Sequence, residues 1–243
     1  MRYSANMKLP TVPVATFSFG SWRISLDREE LALSSLQASY DQVASNWSQI
    51  IACLRYRDAY RSCMASLPKA AWLLNGNEEL NVLDCGIGAG DLSLALIDTS
   101  SRPVNLSGID ISSGMLAQAE VFLDKTTAQF CLSEGNASQL PYEDGSFDLV
   151  MCAHLLEHFS DPAVVLSEMH RVLRPGGTIL VCLTRRSLLG FWVHLKWRAQ
   201  MIADPQAAAM LENIGFQSVK KLPAPASGLF RRMSFALSAE KKS

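Results

Sequence analysis

Two aspartates and three closely spaced glycines are the residues of this chain best suited to chemistry. Asp84 lies just before a turn that contains Gly86, Gly88 and Gly90, and a second apolar segment ends at Asp110, twenty residues after the last glycine. Glycines in such a turn let the backbone bend sharply and approach a ligand closely. A carboxylate that ends the next strand can accept hydrogen bonds from ribose hydroxyl groups. The spacing therefore predicts a site for a nucleotide-containing cofactor.

The spacing of the glycines also distinguishes between cofactors. A dinucleotide turn usually reads G-x-G-x-x-G, whereas here the third glycine comes one residue early and Asp91 follows it. Dinucleotide phosphates lie on a helix N-terminus, where free N–H groups and the helix dipole favour anions. Asp91, the predicted N-cap, would place its own negative charge there. Asp84 and Asp91 thus favour a ligand with ammonium and sulfonium groups, such as S-adenosyl-L-methionine (SAM). A tight turn without a ligand is the structural alternative.

Further segments, in the expected order, resemble the motifs of the class I SAM-dependent methyltransferases. The glycine turn resembles the first motif, and the match extends over roughly residues 40 to 220. It is closest to the branch that methylates small molecules, including quinones. The other matching segments are the ribose-binding strand end at 108–112, the adenine-binding stretch at 135–142, the fourth strand at 147–150 and the turn at 170–177.

The resemblance implies which residues hold SAM. Asn136 stands where the family usually has Asp, and its amide oxygen can accept the same hydrogen bond from the adenine amino group. Met115 would flank the adenine ring, with a core position as the alternative. The predicted cofactor-binding residues are Tyr40, Arg57, Asp84, Gly86, Gly88, Gly90, Asp110, Ile111, Met115, Asn136, Ala137, Cys152 and Ala153.

Two pairs of these residues have specific predicted roles. Tyr40 and Arg57 resemble residues of the helices that close over SAM, where they can bind the methionine carboxylate. An ordinary surface arginine on a helix is the alternative reading of Arg57. Cys152 and Ala153, at a strand end, would present backbone carbonyl groups to the SAM ammonium group.

Histidines are the candidates for a catalytic base. A phenol or hydroxyl acceptor would benefit from a base, and we select His154 and His158, with His194 as a third candidate; a structural role is the alternative for each. A nitrogen or carbon acceptor would need less help. The segment 154–158 also matches H-x-x-E-H of inverted zinc peptidases, but that chemistry needs both histidines on a helix and a further distant ligand. We therefore predict no metal.

The elements that position these residues alternate between strand and helix. The order predicts an α/β fold, with a Rossmann-like, doubly wound, seven-stranded and mostly parallel sheet. Two more strands, at 217–222 and 230–238, predict the C-terminal antiparallel hairpin of the family. The other predicted strands are 81–86, 104–111, 128–133, 147–153 and 178–184, and the predicted helices are 91–98, 113–125 and 162–173.

The resemblance divides the chain into an N-terminal extension, residues 1–35, and one methyltransferase domain, residues 36–243. Residues 36–75 are predicted as a helical cap, and residues 185–205 as a lid insertion that is basic and aromatic. The insertion would cover an apolar acceptor, pack as an amphipathic helix or contact a membrane surface. The extension has some features of a targeting segment, but prolines interrupt it. We expect it to pack on the domain or on a partner subunit.

The composition of the chain limits the kinds of partner that it can bind. The 243 residues are 49% hydrophobic and carry a net charge of −1, so there is no electrostatic case for a nucleic-acid partner. No apolar stretch is long enough for a transmembrane segment, although peripheral membrane contact and a homodimer stay open. The six cysteines form no C-x-x-C pair and are typical of a cytoplasmic protein.

The sequence therefore predicts an enzyme that transfers a methyl group from SAM to a small aromatic or apolar acceptor, at an O, N or C atom, by in-line displacement. One alternative is the same reaction on a lipid-like or quinone substrate at a membrane surface. Another is a catalytically silent SAM-fold subunit that acts through a protein partner. A nicotinamide-dependent reductase would share the sheet, but the glycine spacing disfavours it.

Overall fold

Helices and strands alternate along most of the chain. The computed structural model describes residues 11–29, 33–53, 55–67, 77–185, 200, 202–223 and 230–243. Most of the predicted lid, His194 and the end of the predicted cap lie outside these residues. In chain order the elements are β1 (Thr11–Phe19), β2 (Trp22–Glu29), α1 (Leu33–Cys53), α2 (Tyr56–Ala65), β3 (Leu80–Cys85), α3 (Asp91–Thr99), β4 (Val104–Asp110), α4 (Ser113–Leu123), β5 (Gln129–Glu134), β6 (Phe147–Ala153), α5 (Pro162–Val172), β7 (Leu173–Thr184), α6 (Asp204–Ile214), β8 (Phe216–Lys221), α7 (Phe230–Met233) and β9 (Ser234–Lys241).

Seven of the strands form one mixed sheet in the order β5-β4-β3-β6-β7-β9-β8. The pairs among β3, β4, β5, β6 and β7 are parallel, whereas β9 runs antiparallel to both β7 and β8. The predicted fold class is therefore confirmed. Because β3 has β4 on one side and β6 on the other, the chain changes direction across the sheet at β3. Ligands of such sheets bind at this point, beyond the carboxyl ends of the strands.

The central strands are apolar on both faces because helices cover both faces. Along β3, Val82 packs in the core layer beneath α2, α3 and α4, while Leu83 packs in the layer beneath α5 and α6. Leu149 and Val150 alternate in the same way along β6. Strands buried in this way contain nearly continuous apolar segments, which is why the sequence pattern predicts them well.

Some boundaries differ from the prediction. β7 begins at Leu173, five residues earlier than predicted, because this stretch pairs with β6 at Phe147 before an irregularity in the register. The predicted strand at 230–238 starts later, since Phe230–Met233 form a helical turn. The first predicted strand of the hairpin corresponds to β8.

The N-terminal elements precede the sheet. β1 and β2 pair as an antiparallel hairpin within the predicted extension, and α1 begins at Leu33, close to the predicted boundary at residue 36. α1 packs on α4, and α2 packs on α3. Within the described ranges, no helix combines the length and the apolar character that a bilayer crossing requires. The division into an extension, a cap and a lid stays a prediction.

Candidate functional site

The glycine turn after β3 lies next to open space. Gly88 has a φ of +54°, in the left-handed region that favours glycine, and a Cβ added there would meet no atom within 4 Å. A Cβ on Gly86, which has a φ of +67°, would lie 2.8 Å from the side chain of Leu155. The turn is therefore tight against the protein on one side and open to a ligand on the other.

Asp110 connects this turn to the end of β4. Its Oδ2 atom accepts the backbone N–H of Gly88 at 2.8 Å, and its Oδ1 atom accepts that of Ser112 at 2.9 Å. Burial raises the pKa of Asp110, although these N–H groups act in the opposite direction. A carboxylate has about four acceptor positions, so about two remain for the hydroxyl groups of a ligand. The predicted ribose-binding residue thus has the capacity for that role.

Asp84 is a buried acid at the end of β3. It accepts a hydrogen bond from Oγ of Ser93 at 2.6 Å. Burial raises the pKa of Asp84 to about 7, and the nearby charge of Asp110 adds to the increase. A cation beside this carboxyl group would favour its ionised form. The two acids and the open glycine turn therefore fit a ligand that has both a ribose and a positive charge.

The predicted N-cap role of Asp91 is wrong. Gly90, with a φ of +87°, occupies the N-cap position, and Asp91 is the first helical residue of α3. The left-handed glycine starts the helix one residue earlier than the side-chain preference of aspartate predicts. The Asp91 carboxylate is instead paired with Arg57 of α2, since the Nη2 and Oδ1 atoms lie 3.1 Å apart. Arg57 is therefore held beside the glycine turn, and the negative charge of Asp91 is partly compensated.

Helix α1 covers the other side of the site. The Tyr40 hydroxyl lies 2.8 Å from Nε2 of His158, and burial raises the pKa of the Tyr40 phenol. Oδ1 of the next residue, Asp41, accepts hydrogen bonds from Oγ of Ser112 at 2.5 Å and from the N–H of Gly114 at 3.1 Å. Sequence reasoning missed Asp41 and Ser112, because these partners lie far apart along the chain. Their bonds hold α1 against the start of α4.

The predicted adenine segment follows β5. Oδ1 of Asn136 accepts the backbone N–H of Ser138 at 3.0 Å, which leaves one lone pair of this oxygen for a ligand. Ala137 and Met115 are both buried. Burial of Met115 fits a core position and equally a position beneath a bound ring. Contact of these residues and of Ile111 with adenine stays a prediction.

His154 lies at the end of β6, directly after Cys152 and Ala153. Its φ is +56°, a left-handed conformation that is uncommon outside glycine and frequent at functional sites. Nδ1 lies 3.0 Å from Oγ1 of Thr184 and 3.6 Å from Oε1 of Glu157. The backbone N–H donates to the carbonyl of Cys182 at 2.8 Å. The ring is thus held between β6 and β7.

Glu157 is the buried acid behind His154, and sequence reasoning did not select it. Its Oε1 atom accepts the backbone N–H of Thr184 at 2.6 Å. Burial alone would raise the pKa of Glu157, but the nearby His154 ring and the Thr184 N–H lower it overall. The glutamate in the H-x-x-E-H segment was the available signal. The Glu157 carboxylate therefore lies close to the His154 ring, whose hydrogen bond is to Thr184.

This segment does not form the helix of a zinc peptidase. His154 ends a strand, and only Leu156–His158 form a single 3-10 turn. In the ranges with described coordinates, no group of three or more His, Cys, Asp or Glu side chains could hold a metal ion. His158 instead contacts Tyr40, both through the hydrogen bond and edge to face.

The structure brings most of the predicted site residues to one edge of the sheet. The ends of β3, β4 and β6 contribute Asp84, Asp110 and His154, and α1 and α2 contribute Tyr40 and Arg57. A glycine turn and two acids at the carboxyl edge of a doubly wound sheet define the class of α/β proteins that bind a nucleotide-containing cofactor.

Comparison with known proteins narrows this class. A family described as "Methyltransferase domain" matches residues 83–181. The demethylmenaquinone methyltransferase of Lactiplantibacillus plantarum is 34% identical over 156 residues, which cover 62% of this chain and 62% of that protein. The chain thus spans less than two thirds of the length of this relative. Residues 83–181 thus match a methyltransferase domain, and the sheet has the fold of the class I SAM-dependent methyltransferases.

Solved structures share the fold. Magnesium protoporphyrin IX methyltransferase from Synechocystis, with bound S-adenosylhomocysteine, matches with a TM-score of 0.65 at 18% identity, over 87% of this chain and 100% of that one. The [4+2]-cyclase SpnF matches with a TM-score of 0.65 at 17% identity, over 88% of this chain and 98% of that one. At these identities the likeness concerns the fold alone, and the second protein is named for a different reaction.

Proposed function

We propose that this protein binds SAM at the carboxyl edge of β3, β4 and β6 and transfers its methyl group to a small aromatic acceptor of the quinol type. The observation that carries the proposal is the buried Asp84 carboxyl group near the end of β3, two residues before the open glycine turn, whose pKa burial raises to about 7. A buried ionised acid is costly unless a cation compensates it. A pyrophosphate would add negative charge beside Asp84 and Asp91, whereas SAM brings an ammonium and a sulfonium group.

Five of the predicted residues would bind this cofactor directly. Asp110 accepts from the ribose hydroxyl groups, Arg57 binds the methionine carboxylate, and Asn136 accepts from the adenine amino group. The carbonyl groups of Cys152 and Ala153 accept from the ammonium group. Bound SAM supplies a methyl group already activated by the sulfonium, so the protein contributes mainly the placement of the acceptor.

The acceptor class is proposed from the relative and from the site. The matching protein of L. plantarum is named demethylmenaquinone methyltransferase, and its alignment supports a quinol-like acceptor. Methylation of a quinol releases one proton, from the hydroxyl group when the oxygen is methylated and from the ring carbon that receives the methyl group when the ring is methylated. His154 is the base of this proposal, because Thr184 orients its ring and the nearby Glu157 carboxylate stabilises the charge that it gains. The proposal includes a cytoplasmic location, which the free cysteines among the described residues support.

Two experiments test the proposal. Isothermal titration of the purified protein with S-adenosylhomocysteine, with NADH as control, should show micromolar binding of the first alone. Mass spectrometry should then detect transfer of one methyl group from SAM to a reduced naphthoquinone. Binding without transfer to any quinol, phenol or amine would favour the silent subunit, because the fold alone does not determine the reaction. Binding of neither ligand would remove SAM from the proposal.

A further inference from the structure

The tip of the N-terminal hairpin presents an unusual apolar surface. Phe19 and Trp22 flank the two-residue turn between β1 and β2 and are 67% and 77% exposed, and Ile24 is 59% exposed. All eight residues from 18 to 25 are exposed. This end of the hairpin therefore projects from the domain into solvent.

The exposed apolar residues lie on one face of the hairpin. Phe19 and Trp22 are cross-strand partners, and Ile24 follows Trp22 by two residues, so the three side chains share a face. Arg23, which pairs with Ser18 in the register, belongs to the opposite face. The tip is thus apolar and aromatic on one side and polar with a positive charge on the other.

The size of this surface argues against a stable dimer through the tip alone. An aromatic side chain presents about 150–250 Å², so the exposed fractions of the three residues leave roughly 400 Å² of apolar surface. Two copies packed face to face would bury roughly 800 Å², below the roughly 1,200 Å² at which stable protein interfaces begin. A surface of this size is still large enough to attach the protein to a partner whose surface can deform around it.

The charges and the side-chain types near the tip of the hairpin indicate what kind of partner binds this surface. The first 26 residues contain Arg2, Lys8 and Arg23 and no acid, although the whole chain has a net charge of −1. The acids of β2, Asp27 and Glu29, lie at the end of the strand away from the tip. Trp is enriched where an apolar region meets water at a membrane surface, and a neighbouring Arg can bind lipid phosphates.

We propose that Phe19, Trp22 and Ile24 insert into the interface of a lipid bilayer that contains anionic phospholipids, while Arg23 contacts the phosphate groups. This inference goes beyond the proposed function, because it needs neither SAM nor a methyl acceptor. For an enzyme with a lipid-soluble acceptor, the hairpin would hold the domain at the surface where the acceptor is dissolved.

Sedimentation of the full-length protein with vesicles tests the proposal. Vesicles of phosphatidylcholine alone are compared with an equal mixture of phosphatidylcholine and phosphatidylglycerol. Wild-type protein should bind the anionic vesicles, and the double variant Phe19→Ser/Trp22→Ser should reduce the partition coefficient about tenfold or more. Arg23→Gln should reduce binding to the anionic vesicles only, and added salt should have the same effect.

The matched control is Val164→Ser on α5, which replaces another exposed apolar residue, 46% exposed, and should bind like the wild type. The circular dichroism spectrum and the affinity for S-adenosylhomocysteine should be the same in all variants. A changed spectrum would reveal a folding defect. Absence of S-adenosylhomocysteine binding would reveal a failure of the cofactor proposal, separately from vesicle binding. Equal binding of the double variant, or no binding by the wild type, would overturn the proposal. A dimer that dissociates on Phe19→Ser/Trp22→Ser would identify a second copy as the occupant.

Discussion

The Nη2 atom of Arg57 lies 3.1 Å from Oδ1 of Asp91, which joins helix α2 to the first helical residue after the glycine turn. Through this contact, the helix that precedes the sheet touches the element that would hold the cofactor. Arg57 is only partly exposed, so the pair is less screened than a fully exposed ion pair. The position of α2 is therefore tied to the start of α3 at this point.

We expect Arg57→Ala to raise the dissociation constant of S-adenosylhomocysteine by a factor on the order of 10–10², since a hydrogen bond to a charged group contributes about 1.5–3 kcal/mol. Calorimetric titration measures this change. Arg57→Ala in an Asp91→Ala background separates two explanations. If Arg57 binds the methionine carboxylate directly, Arg57→Ala should still weaken the binding of S-adenosylhomocysteine in the Asp91→Ala background. If Arg57 acts only by pairing with Asp91, Arg57→Ala should have no further effect there. Arg55→Ala, on an exposed arginine nearby, is the control.

Replacement of Asp110 should weaken cofactor binding more strongly. Asp110→Ala removes the acceptor for the ribose and leaves the N–H groups of Gly88 and Ser112 without their partner. We expect a loss of about 1–3 kcal/mol in the binding free energy of S-adenosylhomocysteine. Asp124→Ala, at the exposed end of α4, should leave it unchanged. Unchanged affinity of Asp110→Ala would show that the ribose is held elsewhere.

The pKa of Asp84 predicts opposite effects of pH on stability and on binding. The folded pKa of about 7 lies above the ordinary value of 3.8, so the native state holds this proton more tightly than the unfolded chain. The contribution of Asp84 to stability is therefore present in full below about pH 4 and is lost as the pH rises to about 7. A cationic ligand selects the ionised form, so its affinity should increase as the pH rises toward 7.

Titration calorimetry across this pH range, with wild type and Asp84→Asn, checks the prediction. The wild type should bind S-adenosylhomocysteine progressively more weakly below about pH 7. The variant should bind weakly, with a flat pH profile in the same window. A wild-type profile that is also flat would mean that Asp84 does not face the ligand cation.

The sheet and the glycine turn could be predicted because their signals are local. Buried parallel strands such as β3 and β6 contain continuous apolar residues, and the three glycines stand within five positions. The cap of α3 could not be predicted, because it depends on the left-handed φ of Gly90 and not on a side-chain preference. The hairpin at 11–29 has a period-two pattern around Gly20, but the resemblance to the family does not extend to that part of the chain.

The remaining features of the site depend on contacts between distant residues. Asp41 reaches Ser112, and Glu157 reaches Thr184, across separations that no local pattern encodes. The resemblance to a family supplied Tyr40 and Arg57 but not the residues that hold them. Secondary structure follows from periodicity, whereas the partners of buried polar groups follow only from the packed fold.

The contact between His154 and Glu157 leads to the last prediction, which concerns the proposed base. In a methyl-transfer assay with a reduced naphthoquinone, His154→Ala should lower kcat by a factor on the order of 10²–10⁴, the usual contribution of general base catalysis. Glu157→Gln should lower kcat by a smaller factor and shift the pH profile of kcat, because the amide cannot stabilise the imidazolium. Neither change should alter the affinity for S-adenosylhomocysteine by much. The control is His170→Ala in the last turn of α5, where the His170 ring packs against Phe216. If Glu157→Gln lowers thermal stability but leaves the pH profile of kcat unchanged, Glu157 is a structural residue, and the proton must leave the acceptor by another route.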